Sequence, residues 1–455
     1  MSDSAEVVVC GAGIAGAAAA YHLAVVQGVR DLVLLDERPP LTLTSDKSTE
    51  CYRDWWPDPA MARLMARSID WLERWTEESG NAFALSRNGY LYLTAERAGA
   101  TAMESSARAI AAVNGAPLRV HRGDASDPSY AEPSWDRWHR GPTGADLLLD
   151  PRGLHRRFPF LAGDAIAALH TRRCGWLSAQ QLGVWLLERA RDAGARLETG
   201  TVHGLATDAG GVAAVEVDSG GAVRRIATRR FVLAAGPLAP ALARRCGCEL
   251  PVVNELHCKV FFDDHLGVVP RELPLVIWND PIAIDWSAEE RAGLAEDPEL
   301  AYLLEPLPGG VHFRPEGGAG SRSLLLLWAY HTPAVEPVFP PRFDPLHLQV
   351  VLRGVARMVP GFAVYLDRGR VPYVDGGYYC KTRENRPLVG PLPIEGAYAI
   401  AALSGFGIMA AAAAGELLAA HVTGAELPAY AQDFHPNRYA DPTYRDSLTA
   451  DGGEL

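Results

Sequence analysis

The residues Gly11 to Gly16 read GAGIAG, directly after the β-branched run Glu6 to Cys10 and directly before Ala15 to Val26, an alanine- and leucine-rich stretch of helical length. A second apolar run, Leu32 to Leu35, ends in Asp36 and the pair Pro39-Pro40. This order predicts strand, helix, strand. Parallel strands need such a crossover, and burial of both their faces explains why both runs are almost wholly apolar. Gly11 permits the tight turn, Gly13 lets backbone approach a pyrophosphate, and Gly16 lets the helix pack closely on the strand. Ile14 and Ala15 open the helix, whose N-terminal N–H groups and dipole favour negative charge. Asp36 lies twenty residues beyond Gly16 at the end of the second strand, where its carboxylate can accept ribose hydroxyls, with Glu37 beside it. An ordinary glycine turn requires none of this context, so the segment reads as a dinucleotide site. Asp36 disfavours a 2′-phosphate, which leaves FAD and NAD open.

At 455 residues the chain is long enough for two substantial domains, and 48% hydrophobic with 22% charged residues is a globular composition. A formal net charge of -12 without a basic tract excludes a nucleic-acid partner as the expectation. The seven cysteines include no CxxC pair and suggest reduced, buried thiols, with no readable metal site. The start runs directly into the first strand without a signal-peptide pattern, so a cytoplasmic location is expected. Ala397 to Gly415 is uncharged and long enough to span a membrane, but the glycines at 405 and 407 and the dominance of alanine favour a strand, a turn and a close-packed helix instead.

Further along, residues 57–79 have an amphipathic helical pattern, Tyr90 to Leu93 a strand, 120–148 a loop, and Ala179 to Ala193 another helix. Ala195 to Val202 and Phe231 to Ala235 are expected strands, with a hairpin-like pair around Gly210-Gly211 and Gly220-Gly221. Between 250 and 335 the strand-like stretches 256–262, 275–279, 309–313 and 323–330, separated by Pro/Gly or acidic loops, indicate an antiparallel sheet. A strand and helix return from Ala397 to about Val422.

Several later segments carry a resemblance: Thr44-Ser45-Asp46-Lys47-Ser48-Thr49, Gly175-Trp176-Leu177, Leu233-Ala234-Ala235-Gly236-Pro237, Arg386 to Gly390, and Leu403-Ser404-Gly405-Phe406-Gly407. In this order, after the glycine motif, they resemble the D-amino-acid oxidase family of FAD-dependent amine and amino-acid oxidoreductases, which includes the sarcosine and glycine oxidases. The resemblance implies an α/β fold: a Rossmann-like FAD-binding domain with an inserted α+β substrate domain built on a mostly antiparallel sheet. The expected division is 1–85, 150–240 and 370–435 for FAD, 86–149 and 241–369 for substrate, and 436–455 as a tail. It also implies that Thr44, Ser45, Lys47 and Ser48 pass by the flavin, that Val202 meets the adenine, and that Ala235 and Gly236 close over the dinucleotide. Gly405, Phe406, Gly407, Ile408 and Met409 fall at the flavin carbonyl edge, where a helix N-terminus stabilises charge on a reduced ring.

The implied chemistry is oxidation of a C–N bond in an amine or amino-acid-like substrate to an imine, with oxygen as the acceptor. A dehydrogenase of an amine or 2-hydroxy acid using another acceptor is the alternative. His331 matches the active-site histidine of sarcosine oxidases, Arg53 a carboxylate-binding arginine, and Tyr379 an aromatic near the flavin; Arg314 is a second carboxylate candidate. Two family lysines are replaced, by Leu327 and Met409. Lys47, Lys259 and Lys381 are the candidates to replace the oxygen-associated one. Gly377 stands where the family's flavin-linking cysteine falls, so noncovalent FAD is expected, although Cys380 lies close by. Trp55-Trp56, Trp278, Trp286, Trp328, Tyr330, Tyr378 and Tyr379 suggest an aromatic pocket for a bulky substrate.

Overall fold

The computed structural model describes residues 4–135, 138–139, 141–366 and 373–448. The opening strand Val7–Cys10 is central in a six-stranded sheet. Leu32–Asp36 and then Arg196–Thr199 pair on one side of it, Phe231–Leu233 and Ala397–Ala401 on the other, all parallel. Only the edge strand Leu388–Pro391 is antiparallel. Helix Ile14–Tyr21 crosses between the first two strands and packs on Ala179–Asp192 and on the late helix Gly407–Thr423. The alanines of Ile14–Tyr21 and Gly407–Thr423 allow a close approach: a Cβ added to Gly415 would sit 2.8 Å from the Ala18 carbonyl carbon. The apolar segment from 397 onward is thus a buried strand, a turn and a core helix. Ser404–Thr423 is long and apolar enough to cross a membrane, yet most of it is buried within the protein.

A nine-stranded, mostly antiparallel sheet forms the second layer system. Its order runs Tyr373–Lys381, Val253–Asp263, Ser323–Leu327, Val311–Pro315, Leu275–Trp278, Tyr90–Thr94, Ala167–Thr171, Ala145–Leu148, Leu118–His121. Ala167–Thr171 and Tyr373–Lys381 join this sheet by antiparallel pairing, across the boundaries expected at 150 and 370. Asp58 caps helix Pro59–Ser79, accepting from Met61 N at 2.8 Å, and Gly80 ends it at φ 65°.

Local departures from the sequence reading have physical causes. The expected loop at 120–148 is flanked by strands Leu118–His121 and Ala145–Leu148, drawn into order by the buried Asp146, which accepts from Arg119, Arg172 and His121. The strand expected over 195–202 breaks at Gly200; its second part, Thr201–Asp208, enters a separate three-stranded antiparallel sheet. The strand expected to reach 330 stops at Leu327, leaving His331 in the following loop.

Candidate active site

A cavity of about 370 Å³ runs along the carboxyl ends of the parallel strands. Gly11, Gly13, Ile14 and Ala15 line it at the mouth of the first helix, and Asp36 and Glu37 line it at the end of the second strand. The backbone there admits no side chains: a Cβ on Gly11, at φ 110°, would fall 2.3 Å from Ala234 O, and one on Gly16 would fall 1.8 Å from Gly11 O. Gly16 does not line the cavity; it fixes the helix against the turn. Asp36 Oδ2 accepts from Ala12 N at 2.7 Å and Oδ1 from Arg38 N at 2.9 Å. Burial still raises its carboxyl above the ordinary value, partly offset by those two amides. Ser45 Oγ accepts from Ile14 N at 2.9 Å and so ties the 44–48 segment to the glycine turn.

From that turn the lining continues through Thr44, Ser45 and Ser48 and past Val202, Ala235 and Gly236. It closes with Gly405, Gly407 and Ile408 at the start of helix Gly407–Thr423. Ala402 (φ 54°) and Ser404 (φ 48°) hold left-handed conformations in this wall, an unfavourable backbone for non-glycine residues that the surrounding packing imposes. The glycine cradle, the acid at the strand end and the helix N-terminus at the far side fit an adenine dinucleotide with a flavin.

A second cavity, of about 430 Å³, adjoins the first, and Tyr379 and Gly405 line both. Gly405 is required for that contact, since a Cβ there would lie 2.3 Å from Tyr379 Cε2. The registers place Tyr379, His257, Leu327 and His312 on one face of four neighbouring strands. His257 stacks on Tyr379 with centroids 3.9 Å apart. Buried Arg53 lies over the Trp56 ring at 4.3 Å and donates through Nη1 to Tyr92 Oη at 2.9 Å. Burial pushes His312 and His347 down to about 4, so both are neutral near pH 7.

Arg53, Tyr379 and His331 all line this second cavity. His331, however, is exposed, stacked on Tyr302 at 4.7 Å. Phe406 and Met409 face the second cavity rather than the first. Lys47 lines neither: its ammonium is held by Asp46 and Asp375, each at 2.9 Å, beside a third opening. Lys259 sits opposite Leu327, but its Nζ turns to Asp46 O at 2.8 Å and Ser48 O at 3.3 Å. Lys381 pairs with Glu255 at 3.2 Å. Arg314 is likewise buried behind the wall, with Nε on Thr49 O at 2.8 Å and Nη2 on Glu50 at 3.3 Å.

Of the aromatics singled out from sequence, Trp56, Trp328, Tyr330 and Tyr379 line the second cavity. Trp55, Trp278 and Trp286 belong to hydrophobic cores, while Tyr378 faces the first cavity and the third opening. Sequence reasoning missed His257, His312 and His347, together with Tyr90 and Tyr302. Alternation within 253–263 and 311–315 carries a weak signal for the first two, but only cross-strand register brings them together.

Residues 6–421 match the family model described as DAO, FAD dependent oxidoreductase. The mitochondrial dimethylglycine dehydrogenase of Mus musculus is 25% identical over 445 residues, covering 96% of this chain and 44% of that protein. The chain therefore spans less than half the length of this curated relative. Among solved structures, L-proline dehydrogenase from P. horikoshii has a TM-score of 0.74 at 19% identity, over 99% of this chain and 100% of that one. Glycine oxidase from Geobacillus kaustophilus has a TM-score of 0.69 at 18% identity, over 99% and 100%. Both structures share the fold.

Proposed function

This chain belongs to the DAO family of FAD-dependent oxidoreductases, and on that premise we propose that it oxidises the C–N bond of an amine or amino-acid-like substrate to an imine, or to an iminium ion where the amine is tertiary, that water hydrolyses. The observation that carries the reading is the second cavity itself: it shares the Tyr379–Gly405 wall with the dinucleotide cavity and contains one buried guanidinium, Arg53, among aromatic rings. Bound FAD supplies the two-electron oxidation. The protein's residues hold the substrate: Arg53 pairs with a carboxylate, and Trp56, Tyr90 and Trp328 pack against its apolar part. A cavity of about 430 Å³ suits a substrate larger than glycine. The relatives' printed names, dimethylglycine dehydrogenase and L-proline dehydrogenase, support substituted amino acids.

For the electron acceptor, oxygen and a non-oxygen acceptor both remain readings of this site. The engagement of Lys47, Lys259 and Lys381 by carboxylates or carbonyls favours the second. Cys380 lines the first cavity, but burial pushes its thiol up to about 12, which suppresses the thiolate a covalent link needs and supports noncovalent FAD. The test is an anaerobic screen of flavin bleaching with glycine, sarcosine, dimethylglycine, L-proline, N-methyl-L-phenylalanine and N-methylbenzylamine. Bleaching by the bulkier members is expected; no bleaching by any amine overturns the reading. Mixing the reduced protein with air then separates oxidase from dehydrogenase, the expected outcome being slow reoxidation.

A further inference from the structure

Four histidines line the second cavity, and their surroundings differ. His312 Nδ1 faces Gly310 O at 2.8 Å, and His347 Nε2 is buried without a hydrogen-bond partner. His331 is exposed against Tyr302. Of these four, only His257 has a carboxylate partner among the described hydrogen bonds: its Nε2 lies 3.2 Å from Glu255 Oε2, and the same oxygen accepts from Lys381 Nζ at 3.2 Å. A carboxylate accepts only, so Nε2 carries the proton and Nδ1 keeps its lone pair. The ring is buried and stacked on Tyr379, the side chain that forms the wall toward the dinucleotide cavity.

The geometry points to His257 as the base that takes the proton from a cationic amine in this cavity, with Glu255 as the positioning residue that orients the ring and balances its charge. The inference rests on the reading that the cavity accepts an amine. In this step the ammonium N–H bond breaks and an Nδ1–H bond forms. The amine nitrogen regains its lone pair, which oxidation of the adjacent C–H bond requires, and no electrons leave the substrate. The titratable groups on the ring's side of the sheet include Glu255 and Lys259 on its own strand, Lys381 and Tyr379 on the neighbouring strand, and His312 two strands away. A carboxylate-oriented imidazole that lines a substrate cavity is the arrangement general-base catalysis uses.

The experiment compares wild type with His257→Gln, Glu255→Gln and His331→Gln as FAD-loaded proteins, using whichever amine of the screen bleaches the flavin fastest. Anaerobic reduction is measured from pH 6 to pH 10. For His257→Gln the expected result is a loss of about 100-fold at pH 7 that closes to within a few-fold near pH 10, where the free amine itself is present. Glu255→Gln is expected to show a smaller loss with the same trend, and His331→Gln a loss independent of pH or none. A deficit in His257→Gln that is equal at every pH, or absent at pH 7, overturns the proposal. Nitrogen-15 NMR of histidine-labelled protein, assigned with His257→Gln, gives a readout independent of turnover: an Nε2–H tautomer is expected, and an Nδ1–H tautomer overturns it. If no amine bleaches wild type, the functional reading fails instead, while the tautomer still tests the geometry.

Discussion

At the residue scale, the glycines of the first turn act by what they exclude. A methyl group on Gly16 would overlap Gly11 O, so Gly16→Ala must push the helix off the turn and open the phosphate cradle. Purified Gly16→Ala is expected to carry little FAD and to melt lower by an overpacking cost of about 1–3 kcal/mol, checked by the 450 nm absorbance and thermal unfolding. Arg53 acts by charge in a buried setting. With Arg53→Met, the affinity for carboxylate-bearing amines is expected to fall by about 2–4 kcal/mol, while the matching carboxylate-free amines are little affected. Paired substrates in anaerobic titrations read this difference, and an equal loss for both would assign Arg53 to packing against Trp56.

At the element scale, the contact between two helices defines the cofactor half. Helices Ile14–Tyr21 and Gly407–Thr423 pack through alanine and glycine, and the second delivers Gly407 and Ile408 to the cavity wall. Gly415→Val must separate the helices, because its Cβ already meets Ala18 backbone at 2.8 Å. The expected cost is about 1–3 kcal/mol in denaturant unfolding, accompanied by weaker FAD binding although residue 415 touches neither cavity. The strand–helix–strand unit was legible because its apolar runs, glycines and acid all lie within a short stretch. The segment 44–50 was legible only through resemblance. Its position depends on Lys259 and Arg314, which reach its carbonyls from distant strands.

At the scale of the whole molecule, buried neutral histidines couple stability to pH. Burial lowers His22, His312, His347 and His421 to about 4, and holds His170 well below its ordinary value. The unfolded chain binds these protons near pH 6.5, so it holds more protons than the folded protein as pH falls below that value. Stability is therefore complete above about pH 6.5 and is lost toward pH 4, each histidine contributing at most about 1.4 kcal/mol per pH unit. Asp54, raised to about 6 by burial, works in the opposite sense over part of this window, as do Asp36 and Glu50, which burial also raises; the five histidines outnumber them. A marked drop in melting temperature from pH 7 to pH 5 is expected, and a flat profile would show that these side chains are not buried in solution.

The sequence by itself determined the nucleotide half and the family, because the signals there are contiguous: a strand, a glycine turn, a helix and Asp36 specify one another through local geometry. It also indicated Arg53, Tyr379 and His331, though only by their offsets from family landmarks. Tertiary structure alone decided which side chains share the second cavity. Strand register set His257 and His312 beside Leu327 and Tyr379, a partner carboxylate distinguished His257 from the other histidines of the cavity, and carboxylates or backbone carbonyls turned the three candidate lysines away. Side chains from strands far apart in the chain become neighbours only through hydrogen-bonded register, and no local pattern encodes that pairing.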